Sequence, residues 1–173
     1  MYKKTTFWGK EVRYTIHMVF ATAKKAIEPR FNNAQTVAWV YVTILAIMVV
    51  GQLFAFEDFV PLMASYVVPI NYGMSTFVAC LIALTEVFAL PFLLRMPLSP
   101  LMRWFSLVCG ILAPAIWVKL GLFAVFGHTA LTNSGMFGTK VSIHSGWLQL
   151  IVSLLLLGLA AWSAYGLWPV RKK

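Results

Sequence analysis

The sequence predicts an all-α membrane protein: a four-helix transmembrane bundle preceded by an N-terminal amphipathic interfacial helix. Three observations predict it. Hydrophobic residues make up 61% of the chain and charged residues 11%, where a soluble domain carries about 25% charged. Four runs, 37–56, 72–94, 104–126 and 146–168, are apolar and carry little or no charge. Roughly 20 helical residues cross a hydrocarbon core, and lipid offers backbone groups no partners outside a helix. Twelve of the 14 lysines and arginines lie in residues 1–36, in the turn holding Arg95 and Arg103, and in the tail 171–173. With four spans these three places share one face. Both termini are therefore expected on the cytoplasmic side of a bacterial inner membrane or its equivalent.

The length of 173 residues suits one domain. Its parts are a basic segment 1–36, a four-span domain 37–168 and a basic tail 169–173. The net charge of +9 reads as a positive-inside signature with attraction to anionic lipid. It does not require a nucleic-acid partner. The first apolar run starts too far into the chain for a secretory h-region. Cys80 and Cys109 fall inside spans two and three and form no CxxC, so neither a disulfide framework nor a thiol pair is expected.

Residues 6–28 place Trp8, Val12, Ile16, Val19, Phe20 and Ile27 on one helical face and Lys10, Arg13, His17 and Lys24 on the other. Such a basic amphipathic helix lies in the membrane interface, and Pro29 ends it. Span one has Gly51 and Gln52 as its soft points, and the glycine permits close helix approach. The following stretch, 57–71, holds Glu57, Asp58, Pro61, Tyr66 and Pro69. It is too apolar for a solvated loop, which suggests an interfacial or re-entrant segment against the bundle.

Span two carries Glu86, roughly 12 Å from its cytoplasmic end at 1.5 Å per residue, and Pro91, which is expected to kink it. A charge in lipid is costly, so Glu86 should face the bundle interior, beside the carbonyls freed near Pro91 and Pro114. The short turn 96–100 makes spans two and three antiparallel neighbours. Span three carries Lys119, whose expected partners are Glu57 or Asp58 at the outer boundary, or Glu86 deeper in. The second outer loop, 127–145, contains His128 and His144 without a third ligand at metal spacing, so no metal site is expected. Trp147, Trp162, Tyr165 and Trp168 mark the ends of span four as interface anchors.

Three features together resemble the MauE and DoxX-like family of four-helix membrane proteins. The stretch DFVPLMASYVVP resembles a family loop that ends in a tyrosine and a proline, here Tyr66 and Pro69. Glu86, in LTEVFALPFLL, stands where family members place a glutamate in helix two. Ser134-Gly135-Met136-Phe137-Gly138 looks like the CGCFG segment of MauE-type proteins with both cysteines replaced. The resemblance covers residues 37 to about 168 and implies a redox association. MauE is linked to maturation of a periplasmic amine dehydrogenase, and DoxD-type relatives to thiosulfate:quinone oxidoreduction. Thiol exchange needs a thiolate at the attacking position, and Ser134 and Met136 stand there instead. Gln52-Leu53-Phe54 also replaces the family's basic residue at the end of helix one.

The function expected is therefore an accessory or assembly subunit of a redox-associated membrane complex, non-catalytic by itself, with the bilayer and a membrane protein as partners and no resident cofactor. The alternative is a quinone- or lipid-binding redox protein using Glu86, with Tyr66 or Lys119 as polar contacts. A small transporter or proton conductor using Glu86 and Lys119 comes third.

Overall fold

The computed structural model describes residues 29–66, 72–127 and 131–168. The interfacial helix expected at 6–28, Pro69, His128 and the basic tail lie outside them. The described residues form five helices: α1 (Asn32–Phe54), α2 (Phe56–Tyr66), α3 (Tyr72–Leu93), α4 (Pro100–Phe126) and α5 (Trp147–Leu167). Four of them, α1, α3, α4 and α5, are long and apolar enough to cross a membrane. They pack in a ring in which α1 touches α3, α3 touches α4, α4 touches α5 and α5 returns to α1.

The solvent order of a soluble protein is reversed. Gln52, Ser75, Thr85, Glu86, Ser106, Gln149, Ser153 and Ser163 are buried, while Ile47, Phe77, Leu84, Phe105, Leu112, Ile151 and Leu155 are exposed. Apolar surface this extensive on every long helix is matched by lipid rather than water, and inward polar groups bond across helices. The chain is a multi-pass integral membrane protein with four candidate spans.

The stretch after span one, expected as a segment against the bundle, is helical over Phe56–Tyr66. Ala55 breaks α1 with a non-helical backbone. Glu57 and Asp58 fall in the first turn of α2, where carboxylates suit the positive end of the helix dipole. Phe59, Val60, Met63 and Tyr66 form its buried stripe, which packs chiefly on α3. α4 starts at Pro100, before the apolar run, because the Ser99 hydroxyl accepts the Met102 N–H and proline suits the first helical position.

A neighbouring helix enters the backbone at each proline inside a span, meeting the open carbonyl at Pro114 and bridging the adjoining ladder at Pro91. Pro114 has no N–H to offer the Gly110 carbonyl, and the buried Tyr41 hydroxyl of α1 donates to that oxygen at 2.6 Å. Near Pro91 the Ser106 hydroxyl of α4 enters the α3 ladder. It accepts from Phe92 N at 3.0 Å and donates to Phe88 O at 2.6 Å. These are the kink sites at which Glu86 was expected to donate. Tyr41 takes the Gly110 carbonyl, Ser106 bonds the backbone beside Pro91, and Glu86 bonds elsewhere.

Candidate functional site: a buried polar network across the bundle

Glu86 on α3 is fully buried. Its Oε1 accepts from Trp117 Nε1 of α4 at 2.9 Å and from Gln52 Nε2 of α1 at 3.2 Å. The same Gln52 nitrogen donates to the Met136 carbonyl of the loop before α5 at 3.1 Å. Glu86 Oε2 and Gln52 Oε1 have no hydrogen-bond partner among the described residues. One carboxylate thus ties three helices and a loop, each contributing one side chain or carbonyl.

A second cluster lies beside it. The Tyr66 hydroxyl, at the end of α2, lies 3.0 Å from Gln149 Oε1 of α5 and 3.2 Å from the Ser134 carbonyl, and donates to these acceptors. Burial pushes the Tyr66 phenol up to about 12, against the opposing pull of the Gln149 hydrogen bond. Ser153 continues the line on α5 by donating to Gln149 O at 2.5 Å.

The loop that joins the clusters is folded into the bundle. Ser134, Gly135, Met136 and Gly138 are buried and Phe137 is half-buried. Asn133 shapes the turn: its Oδ1 accepts from Gly135 N at 2.9 Å and its Nδ2 donates to Thr139 O at 3.1 Å. Gly138 N then closes on Gly135 O at 2.9 Å. Gly135 and Gly138 both have positive φ, 75° and 80°, which side chains other than glycine's adopt at a cost. A Cβ at Gly138 would run into the Gly51 carbonyl, and one at Gly51 would run into the Phe137 carbonyl. The loop backbone therefore lies directly on α1, and this close approach delivers the Met136 carbonyl to Gln52.

The structure brings together Glu86 and Met136 in the first cluster and Tyr66 and Ser134 in the second, with Gly135, Phe137 and Gly138 as the connecting turn. Lys119 stands apart. It is exposed on α4 and forms no ion pair among the described residues, so none of its expected partners is used. Four contributors were not singled out as site residues: Gln52, Trp117, Gln149 and Tyr41. The two glutamines carried a signal, since an amide inside an apolar span needs a partner. Trp117 and Tyr41 carried none, because an aromatic in a span is ordinary core. Cys80 is half-buried and Cys109 buried, both as free thiols. Among the described residues no three His, Cys, Asp or Glu side chains gather.

Fold and site together define a class: a multi-pass membrane bundle whose spans are fastened by a buried carboxylate–amide–indole network. Comparison with protein-family models, with curated proteins and with solved structures finds no match.

Proposed function

We propose that the chain is a non-catalytic accessory or assembly subunit of a redox-associated membrane complex, related to the MauE and DoxX-like proteins through the motifs at Tyr66, Glu86 and 134–138. The observation that carries the reading is the use of Glu86. Its bonded oxygen is held by two donors from two other helices, inside a fully buried site. Such a carboxylate fixes the relative positions of α1, α3 and α4 and leaves a defined, apolar outer surface for assembly. The turn at 134–138 keeps its glycines, which the close approach to α1 demands, while its former thiol positions hold Ser134 and Met136. That combination fits a retained scaffold with the disulfide chemistry removed. Both termini and the Arg95–Arg103 turn face the cytoplasm in this reading.

One observation favours a second reading. Glu86 Oε2 makes no hydrogen bond among the described residues; a quinol or lipid hydroxyl could donate to that oxygen, and a quinone carbonyl could accept from it when it is protonated.

Glu86→Gln and Glu86→Leu separate the two. Gln retains an acceptor for Trp117 and Gln52. Leu strands the buried Trp117 N–H, at about 1–3 kcal/mol. For a scaffold, Gln keeps stability and the stoichiometric partner recovered in gentle detergent, and Leu weakens both. Loss of function in Glu86→Gln, with folding and assembly intact, rejects the scaffold reading in favour of the second.

A further inference from the structure

The polar side chains inside the bundle are not spread evenly along it. From the end that holds α2, they descend as a file. Ser75 lies one turn inside the start of α3, and Gln149 lies near the start of α5. The Tyr66 hydroxyl joins Gln149 to the Ser134 carbonyl. Ser134 Oγ accepts from Met136 N at 3.4 Å, and the Met136 carbonyl accepts from Gln52, which reaches Glu86. Ser75 shares the buried stripe of α3 with Ala79, Ile82 and Glu86. Beyond Glu86 the core changes character. Leu45, Ala89, Phe92 and Ala160 fill it, and the Tyr41 hydroxyl is committed to the Gly110 carbonyl. Ser106 there is bonded into the α3 backbone, and Ser163 lies near the far end of α5.

Four atoms of the file are enclosed and have no hydrogen-bond partner among the described residues: Ser75 Oγ, Gln149 Nε2, Gln52 Oε1 and Glu86 Oε2. Their residues are at most 2% exposed. Buried polar groups left unmet are costly. Water meets such a mixed set of donors and acceptors, because it both donates and accepts. The innermost pair is the informative one. Gln52 Oε1 only accepts, whereas Glu86 Oε2 accepts when ionised and donates when protonated. A water between them donates to both oxygens in the first case. In the second it accepts from Oε2 and donates to Gln52. One water thus suits either state of the carboxyl.

No cation among the described residues faces Glu86. Lys119, Lys140 and His144 are exposed, and Arg30, Arg95 and Arg103 lie at the end away from α2. Tyr41 on α1, Tyr66 on α2 and Cys109 on α4 are the other buried titratable groups, and α5 and the loop before it add none.

We infer that the file is a hydrated path to Glu86 from the α2 end, with a bound water bridging Glu86 Oε2 and Gln52 Oε1. Through it Glu86 exchanges its proton with the compartment on that side. The proton passes from Oε2 to the water and back, and only O–H bonds form and break. The apolar half of the core closes the carboxyl to the other compartment. The inference does not rest on the accessory-subunit reading.

Trp117 reports on the site, because its indole N–H donates to Glu86 Oε1. The purified full chain, with isotope-labelled tryptophan, is placed in nanodiscs of phosphatidylcholine, a lipid without a hydroxyl. Trp117→Phe assigns the indole signal by NMR. After transfer to heavy water the Trp117 N–H is expected to exchange while the backbone N–H groups around Glu86 are still protected. Gln149→Leu and Ser75→Ala should each slow that exchange, by about tenfold for a lost hydrogen-bonding station. Ser163→Ala, which removes an unpartnered hydroxyl from the other half of α5, should leave it unchanged. A loosened variant would exchange faster at every indole, so slowing at Trp117 alone does not come from misfolding. A Trp117 proton retained as long as the surrounding backbone protons would mean a dry carboxyl and overturn the inference. Unchanged or faster exchange in both Gln149→Leu and Ser75→Ala, or slowing in Ser163→Ala instead, would remove the path from the α2 end and overturn it as well. A quinol retained stoichiometrically, with exchange appearing only after its extraction, would assign Oε2 to that hydroxyl and overturn the water.

Discussion

Gly138→Ala and Gly135→Ala together test whether the loop is seated on α1. The two glycines have nearly the same backbone, φ 80° and 75°. An alanine at either position therefore carries a similar left-handed strain of about 1–2 kcal/mol. They differ in what the new methyl meets. At Gly135 it meets the far end of the Leu62 side chain at 2.5 Å, which can rotate away. At Gly138 it meets the Gly51 carbonyl, which is helix backbone and cannot. Forcing an extra carbon into a packed contact adds about 1–3 kcal/mol. Moving the loop off α1 also withdraws the Met136 carbonyl from Gln52. Gly135→Ala is thus expected to lose about 1–2 kcal/mol and Gly138→Ala about 2–5 kcal/mol. Reversible unfolding in mixed detergent micelles, followed by circular dichroism, reads the difference. Equal losses in the two variants would mean that the 134–138 turn does not rest on α1, and the two-cluster description of the site would fall with it.

Tyr41→Phe removes the donor from the Gly110 carbonyl that Pro114 leaves open. It should lower stability by about 1–3 kcal/mol with no change of fold, read in the same unfolding assay. Tyr66 carries a pH signature: its phenol is pushed up to about 12 in the folded chain, against about 10 when unfolded. The folded state therefore holds its proton longer. Stability from this group is full below about pH 10 and is lost as pH rises toward 12. Tyr66→Phe should flatten that alkaline limb, and an unchanged limb would detach it from Tyr66. In a Cys80→Ala, Cys109→Ala background, single cysteines at positions 58 and 133 should react with an impermeant thiol reagent from outside, and one at 98 should not. Labelling at 98 from outside would invert the proposed orientation.

The four spans were legible because their apolar runs are long and bounded by charge, and the membrane admits few alternatives to a helix. Glu86 was legible as an inward group because no other placement in lipid is cheap. Its bonding was not. Pro91 and Pro114 suggested open carbonyls as its partners, but a one-dimensional reading could not reveal that Tyr41, on another helix, takes the Gly110 carbonyl and that Glu86 meets Trp117 and Gln52 instead. Gln52 could be seen as an isolated amide in an apolar run, yet its partners come from α3 and from the loop before α5. The polar stretch 127–145 was expected as an outer loop. Its turn instead folds inward, because Gly51, Gly135 and Gly138 let backbone approach backbone, and only the assembled structure reveals such a contact. Lys119 was read through its charge, which suggested a carboxylate partner, whereas its position on the outer face of α4 leaves it facing the surroundings.

That outward position sets how deeply the protein sits. α4 has 27 residues, about 40 Å of helix at 1.5 Å per residue, against a hydrocarbon layer of about 30 Å. Arg103 and Lys119 are separated along it by about 24 Å of rise. The seven residues beyond Lys119, 120–126, carry no polar side chain, and Leu122, Phe123 and Phe126 are exposed, so they belong in the acyl layer with the rest of α4. The flexible lysine stem must carry its amine outward past them to reach water. A helix about 10 Å longer than the hydrocarbon layer is accommodated by tilting or by local thickening of the bilayer. Lys119 thus limits that tilt to directions that keep its amine within reach of the outer head groups.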